Sequence, residues 1–225
     1  MSSPVSVIIP ALDEEHRIAT AIDSSFAAGA AEVIVADGGS SDATTRIARE
    51  HSARVVCGES MRSRQMNRGA NEATNENLIF LHADTILPSN AAALVARTLD
   101  AGYVFGGFRV RFAEQAWKLR IAAAMVNMRT FLTRCPWGDQ AQFIRRDTFL
   151  RSGGFRDLPI MEDYELAVRM KRSGKTIVLR EKVTTSGRRF LEKGLLRTAA
   201  INWRIIIRYR LGADTNELAK IYRGG

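Results

Sequence analysis

The sequence predicts an α/β fold with helices flanking a mostly parallel central sheet. In the first half of the chain, short apolar runs alternate with helix-like stretches, which is the pattern of βαβ units. Polar and acidic residues follow several of these runs, and open α/β sheets bind ligands at the carboxyl ends of their strands. A chain of 225 residues with 46% hydrophobic residues suits a single domain with a buried core.

The first half predicts four strands, at 5–9, 32–36, 53–57 and 78–81. The helix-like stretches that follow them cover about 15–28, 41–50, 60–73 and 89–101. Strands that are connected through a helix in this way are expected to be parallel, with right-handed crossovers.

After residue 102 the alternation is less regular. Predicted strands at 103–112, 141–144 and 176–179 are separated by a long helix at 113–133 and a helix from 161 to about 173. Gly106 and Gly107 lie inside a predicted strand, which indicates a bulge or a close backbone approach. An amphipathic helix at about 191–210 closes the predicted fold.

The formal net charge is +9, and residues 187–225 contribute +6 of it, with nine Lys or Arg against three acids. On a helical wheel Arg197, Arg204 and Arg208 share one face of the last predicted helix. Two interpretations stay open: docking on an anionic membrane surface, or a helix packed on the sheet with its arginines in water. We expect no nucleic-acid partner, because the basic excess is local and no recognisable binding motif accompanies it.

The expected compartment is the cytoplasm, with the inner face of the membrane as a possible point of contact. Cys57 and Cys135 lack metal-ligand spacing and suit free thiols in a reducing environment. The sequence shows no signal peptide and no apolar run of 18 residues.

The segment His82-Ala83-Asp84 directly follows the fourth apolar run. If the strand continued, His82 and Asp84 would project from the same face and suit a divalent cation or a polar substrate. The alternative is that Asp84 caps the helix predicted after Pro88, with His82 an ordinary surface residue.

Two earlier strand ends also carry polar segments. Pro10 to Glu15 follow the first strand, and Asp37-Gly38-Gly39-Ser40-Ser41-Asp42 follow the second. Asp37 is placed to hydrogen-bond a ribose or a base, but the segment taken alone is better explained by a tight turn with Ser40 or Ser41 as a helix N-cap. Neither a GxGxxG fingerprint nor a P-loop follows the first strand.

Taken in order, these segments resemble family 2 glycosyltransferases with the GT-A nucleotide-sugar-binding fold. The resemblance covers roughly residues 5–190 and includes Met161-Glu162-Asp163-Tyr164-Glu165-Leu166. His82-Ala83-Asp84 is a variant of the family's Asp-x-Asp motif. More narrowly, residues 62–70 and 209–212 are similar to a compact bacterial subgroup.

The resemblance implies a role for each matching residue. Asp84 would bind Mg²⁺ or Mn²⁺ at the donor diphosphate, and Asp163 would be the catalytic base with Glu162 beside it. Asp13, Glu14 and Asp37 would contact the nucleoside, most simply uridine. The expected donor-binding residues are Pro10, Asp13, Glu14, Asp37, Gly38, Arg64, His82, Ala83, Asp139, Gln140, Arg188 and Arg189.

The chemistry of glycosyl transfer agrees with this assignment. A metal stabilises the negative charge that develops on the leaving diphosphate, and a carboxylate can deprotonate the acceptor hydroxyl. One base in a single displacement inverts the anomeric centre. The alternative for Glu162 and Asp163 is that these acids only complement a helix dipole.

Several assignments stay open in the sequence. His82 replaces the usual first Asp, so it is a ligand, a donor-sugar contact or a bystander. Asp139 and Gln140 are expected to recognise sugar hydroxyls beside a stacking Trp137, or to form a polar turn near a buried Trp. Arg64 either reaches the base or diphosphate, or lies on a solvated helix face.

The expected organisation is one GT-A domain over 1–225. It divides into a nucleotide-binding half (1–102), an acceptor and catalytic half (103–190) and a basic helical annex (191–225). The predicted activity is transfer from a nucleotide sugar to an acceptor hydroxyl, with a lipidic acceptor and a homodimer left open. The alternatives are a nucleotidyltransferase and a non-catalytic nucleotide-sugar-binding protein.

Overall fold

The computed structural model describes residues 3–224 and contains a seven-stranded sheet with helices on both faces. The strands are β1 (Val5–Ala11), β2 (Glu32–Asp37), β3 (Arg54–Cys57), β4 (Asn77–Phe80), β5 (Phe105–Phe112), β6 (Gln142–Arg145) and β7 (Thr176–Thr185). The helices are α1 (Ile18–Ala27), α2 (Thr44–Glu50), α3 (Arg62–Glu72), α4 (Ala91–Asp100), α5 (Trp117–Thr133), α6 (Arg146–Arg151), α7 (Glu162–Ser173), α8 (Arg188–Lys193), α9 (Leu195–Arg210) and α10 (Thr215–Gly224).

The predicted mostly parallel α/β fold is confirmed. The strand order is β3-β2-β1-β4-β6-β5-β7, and of the strands within residues 3–224 β6 alone runs antiparallel to its neighbours. Successive β1 residues point to opposite faces of the sheet, so Val7 and Ile9 join one apolar cluster while Ile8 joins the other. Burial on both faces explains why the central strands read as continuous apolar runs.

The register brings several chain segments to one edge of the sheet. Ala11, the last residue of β1, pairs with Asp37 at the end of β2, and Phe80 at the end of β4 pairs with Gln142. Because β6 is antiparallel, it begins where β1, β2 and β4 end. The loop before β6 therefore meets the loops that follow the parallel strands.

The C-terminal part differs from the single helix predicted at 191–210. Gly194 has φ +80 and separates α8 from α9, a conformation that glycine adopts without strain. A further helix, α10, follows and buries Leu218 and Ala219. The last strand is also longer than predicted, since β7 continues to Thr185 alongside β5.

The close backbone approach predicted at Gly106 and Gly107 is confirmed. A Cβ atom on Gly106 would lie 2.3 Å from the Phe143 ring, and one on Gly107 would lie 2.5 Å from Pro136 Cβ. The irregularity in strand pairing comes one step later, between Phe108 and Arg109.

Over residues 3–224, none of the helices combines the length and the apolar character that crossing a membrane requires.

Candidate active site

A cavity of about 240 Å³ that contains four carboxylates, here called the acidic cleft, opens at the edge of the sheet where β1, β2 and β4 end. Its walls come from the loop after β4, the loop before β6, and the N-terminal ends of α3 and α7, with residues of α8, α9 and α10 on the remaining side. The polar and aromatic residues that line it include Arg62, His82, Asp84, Trp137, Asp139, Glu162, Asp163, Arg189 and Tyr222.

His82 and Asp84 reach the acidic cleft from a turn. The expected extension of the strand is wrong, because β4 ends at Phe80 and the Thr85 N–H donates to the His82 carbonyl at 3.0 Å. Both side chains nevertheless line the same cavity. Asp84 Oδ1 accepts from the Thr85 hydroxyl at 3.2 Å. Ala83 lies buried between them and does not line the cleft.

Asp163 is held at the N-terminal end of α7 by backbone N–H groups. Its Oδ2 accepts from Gly138 N–H and its Oδ1 from its neighbour Tyr164 N–H, each at 2.6 Å. A Cβ at position 138 would lie 2.7 Å from His82 Nε2 and 3.2 Å from Asp163 Oδ2. Glycine at 138 therefore lets His82 and Asp163 approach the same backbone segment.

Glu162 is buried beside Asp163, with only 4% of its surface exposed. Its Oε1 lies 3.7 Å from Arg62 Nη1. Desolvation, followed by the adjacent Asp163, raises the pKa of Glu162 to about 7, although Arg62 opposes the shift. An acid that only complemented a helix dipole would gain from staying ionised in water, so burial next to a second acid favours a functional interpretation.

Asp139 faces the acidic cleft, whereas Gln140 is enclosed by the protein. Asp139 lines the cleft, its Oδ1 is buried without a hydrogen-bond partner in residues 3–224, and desolvation raises its pKa to about 6. Gln140 is fully buried: its amide donates to the Phe108 carbonyl at 2.9 Å and accepts from the Thr130 hydroxyl at 2.8 Å. This corrects the expectation that Gln140 contacts the sugar, because its polar atoms already hold the loop.

The imidazole of His82 is neutral at physiological pH. Desolvation, and then the nearby Arg62 guanidinium, lower the pKa of His82 to about 3. A neutral imidazole keeps one nitrogen lone pair free to accept a hydrogen bond or to bind a metal.

The residues of the acidic cleft fit a divalent cation that the substrate also ligates. No group of three or more His, Cys, Asp or Glu side chains within residues 3–224 could hold a metal by itself. Mg²⁺ is commonly bound by one or two carboxylates together with substrate phosphates. Asp84, the neutral His82 and the unpartnered Asp139 oxygen provide donors of this kind.

A second cavity of about 390 Å³, here called the β1 cavity, lies beside the acidic cleft. Pro10 and Glu14 line it from the end of β1, and Gln65 lines it from α3. Arg62, Glu162 and Tyr222 line both cavities, so the two are neighbours across these side chains.

Three residues expected to bind the donor, Asp13, Asp37 and Gly38, do not line either cavity. Asp37 is 2% exposed, and its carboxylate accepts from Gly39 N–H and Ser40 N–H at 2.9 and 3.1 Å. Asp13 Oδ1 accepts from Ser41 N–H at 2.8 Å. Gly38 lies against the Gln65 side chain. The segment therefore forms a turn, but neither Ser40 nor Ser41 caps α2, because the N-cap position is Ala43. These residues shape the loops beside the β1 cavity.

The three arginines that were expected to bind the donor lie in different parts of the structure. Arg64 lies away from both cavities, since its guanidinium pairs with Asp157 at 2.6 Å and with Glu59. Arg188 is exposed and lies 3.7 Å from Glu192. Neither is placed to hold a diphosphate, which corrects both expectations.

Arg189 does line the acidic cleft. Its guanidinium stacks 3.4 Å from the centre of the Tyr222 ring, and its buried Nε has no hydrogen-bond partner in residues 3–224. A buried, unpartnered donor on a cation suits an anionic ligand.

Sequence reasoning missed two residues of the site. Arg62 lies near the start of the helix predicted at 60–73, but nothing local distinguishes it from Arg64. Tyr222 lies in α10, which the sequence did not predict, and no motif marked it.

The fold, with acidic residues gathered at the carboxyl ends of its parallel strands, is that of a glycosyltransferase. Residues 6–156, more than half of the chain, match Glycosyl transferase family 2, so this protein belongs to that family. The resemblance drawn from its motifs is confirmed. No curated protein matches the sequence.

Two solved proteins share this fold. S. aureus TarS 1–349 has a TM-score of 0.66 and 15% identity, covering 97% of this chain and 69% of that one; TarS 1–349 has also been solved with UDP-GlcNAc. Glucosyl-3-phosphoglycerate synthase from Mycobacterium tuberculosis, in complex with Mn²⁺, UDP and glucosyl-3-phosphoglycerate, has a TM-score of 0.55 and 20% identity, covering 81% and 71%.

Proposed function

We propose that this glycosyltransferase transfers a sugar from a UDP-sugar to an acceptor hydroxyl, with Mg²⁺ or Mn²⁺ bound and with inversion at the anomeric carbon. One observation supports this most strongly: Asp84, after β4, and Asp163, at the start of α7, face the same cleft beside a second cavity at the end of β1. Solved structures of the same fold contain UDP-GlcNAc, or UDP with Mn²⁺.

In this proposal the nucleoside occupies the β1 cavity, which Pro10, Glu14 and Gln65 line. The diphosphate lies across the junction marked by Arg62 and Tyr222, and Arg189 donates to it. A divalent cation held by Asp84, with His82 alongside, would supply charge stabilisation to the leaving diphosphate.

Asp163 removes the acceptor proton. The acceptor oxygen forms a bond to the anomeric carbon as the bond from that carbon to the diphosphate oxygen breaks, and UDP leaves with the electron pair. The two N–H groups that bind Asp163 fix its orientation, and each carboxylate oxygen retains a second lone pair for the hydroxyl proton. A single displacement of this kind inverts the anomeric centre.

Exchange of Asp163 for Asn tests the base. With the UDP-sugar that supports turnover in a donor screen, Asp163→Asn should lower kcat by about 10²–10⁴-fold, the usual contribution of a general base. UDP release measures the rate, and proton NMR of the product gives its anomeric configuration.

Asp147→Asn, which changes an exposed acid on α6, is the control and should retain its rate. Normal turnover by Asp163→Asn would show that the base lies elsewhere. A product that retains the donor's anomeric configuration would contradict single displacement.

We also propose that α9 docks on an anionic membrane surface. Arg197 and Arg204 are exposed on one face of α9, and Trp203 and Leu196, which are 53% and 81% exposed, lie on the adjoining side of the helix. Arg208 shares the face of Arg197 and Arg204, as predicted, but it is half-buried and lies 3.6 Å from Glu217, so it offers less free charge. Aromatic and basic side chains together suit the membrane interface.

A further inference from the structure

An apolar groove runs between α5 and α9. It has a volume of about 540 Å³, within the usual range for small-molecule sites. Apart from Arg129 and Asn202 its walls are aliphatic, aromatic or thioether, and they include Ile121, Met125, Met128, Leu132, Trp203 and Ile206. The apolar groove was not predicted from the sequence, since α5 read only as a long helix rich in Ala and Met.

The apolar groove opens into the acidic cleft. Val126, Trp137, Phe190 and Asn202 line both spaces. Trp137 directly precedes Gly138, whose N–H binds the Asp163 carboxylate. An occupant of the groove can therefore place one end near the proposed catalytic base.

The side chains of the groove are more exposed than packing requires. Met128 is 59% exposed, Leu132 is 71% exposed and Trp203 is 53% exposed. A contiguous apolar surface of this kind marks a binding site, and methionines adapt their shape to flexible hydrocarbon ligands. A hydrophilic saccharide would lose its hydrogen bonds to water here, because few groove residues offer polar partners.

We propose that the apolar groove binds the hydrocarbon chain of an amphiphilic acceptor, whose hydroxyl headgroup reaches Asp163 in the acidic cleft. This rests on the proposed function and names the acceptor class for the same site. The transfer is the displacement described above, with the lipid hydroxyl as the attacking oxygen. Continuity with the cleft favours a substrate chain over a second copy of the protein, which would cover the groove without entering the active site.

The test compares 1-O-butylglycerol with 1-O-dodecylglycerol, both below their micellar concentrations, by calorimetry without donor. The longer chain should bind at least about tenfold more tightly, since each buried methylene favours association. UDP binding is measured separately, so a protein that binds the long chain but fails with UDP would refute the proposed function and leave the groove assignment standing.

Two variants on the same helix locate the binding. Met125→Asp places a charge in the groove, whereas Phe131→Asp changes an exposed apolar residue that does not line it. Met125→Asp should weaken dodecylglycerol binding about tenfold or more, while Phe131→Asp leaves it unchanged and both retain UDP binding.

Three results would overturn the assignment. The first is equal affinity for the two chain lengths, and the second is an equal effect of the two variants. The third is a dimer in sedimentation analysis that Met125→Asp dissociates, because the groove would then be an interface between copies.

Discussion

Glu162 and Asp163 are adjacent in sequence, yet their carboxylates have opposite surroundings. Asp163 receives two backbone N–H groups and keeps access to the cleft. Glu162 is buried, has Arg62 at 3.7 Å, and its pKa is raised to about 7 by desolvation and by Asp163. One acid is thus oriented for proton transfer, while the other is costly to ionise and adjusts the charge of the site.

The raised pKa of Glu162 has a consequence for stability. Between pH 4.5 and 7 the unfolded chain releases this proton while the folded protein keeps it, so the Glu162 contribution to stability falls as the pH rises through that window. Glu162→Gln removes this loss. The difference in free energy of unfolding between the Glu162→Gln variant and wild type should therefore increase by up to about 3 kcal/mol between pH 4 and pH 8.

Urea denaturation across this pH range measures the difference. Glu50→Gln, at an exposed position on α2, should show a nearly constant difference from wild type. If the difference for Glu162→Gln were equally independent of pH, the claim that Glu162 keeps its proton in the folded protein would be refuted.

At the scale of elements, α9 has two separate faces. One face packs inward through Ile205 and Ile206, and Arg197 and Arg204 are exposed on the other. Trp203 is half-exposed at the boundary between the two faces, where it also lines the apolar groove. A helix that only covered the sheet would gain nothing from an exposed Trp beside two arginines. This arrangement supports the docking proposal more directly than the basic stripe read from the sequence.

Vesicle sedimentation tests α9. At low salt the protein should bind vesicles containing anionic lipid, and the double variant Arg197→Glu/Arg204→Glu should bind at least about tenfold more weakly, because each basic residue contributes about 1 kcal/mol. The control is Arg49→Glu/Arg97→Glu, which makes the same change of charge at exposed positions on α2 and α4. Equal losses in both variants would mean that net charge alone governs binding, and an absence of wild-type binding would refute docking.

For the whole molecule, the sequence correctly predicted the features that depend on local sequence pattern. Apolar runs gave the seven strands within a few residues, apart from the extension of β7, and the polar residues after β4 and at α7 do meet in one cleft. Parallel topology explains this success. The carboxyl ends of parallel strands lie at one edge of the sheet, so the residues that follow them come together whatever the exact positions of the connecting helices.

The errors concern properties that only tertiary structure decides. Asp37 and Gln140 look available in sequence, but loop N–H groups and carbonyls occupy their polar atoms. Arg62 and Arg64 are two positions apart on α3, so they point to different faces, and only Arg62 lines the cavities. The docking of α10, which places Tyr222 at the junction, has no local signal.

In the proposed function, Asp84 links a divalent cation to the diphosphate of the donor. Calorimetry of UDP binding, with and without Mn²⁺, tests it without relying on turnover. Wild-type protein should bind UDP about tenfold or more tightly when Mn²⁺ is present, and Asp84→Asn should abolish that dependence while Asp147→Asn preserves it. If Asp84→Asn kept the full dependence on Mn²⁺, the account of this site would be contradicted.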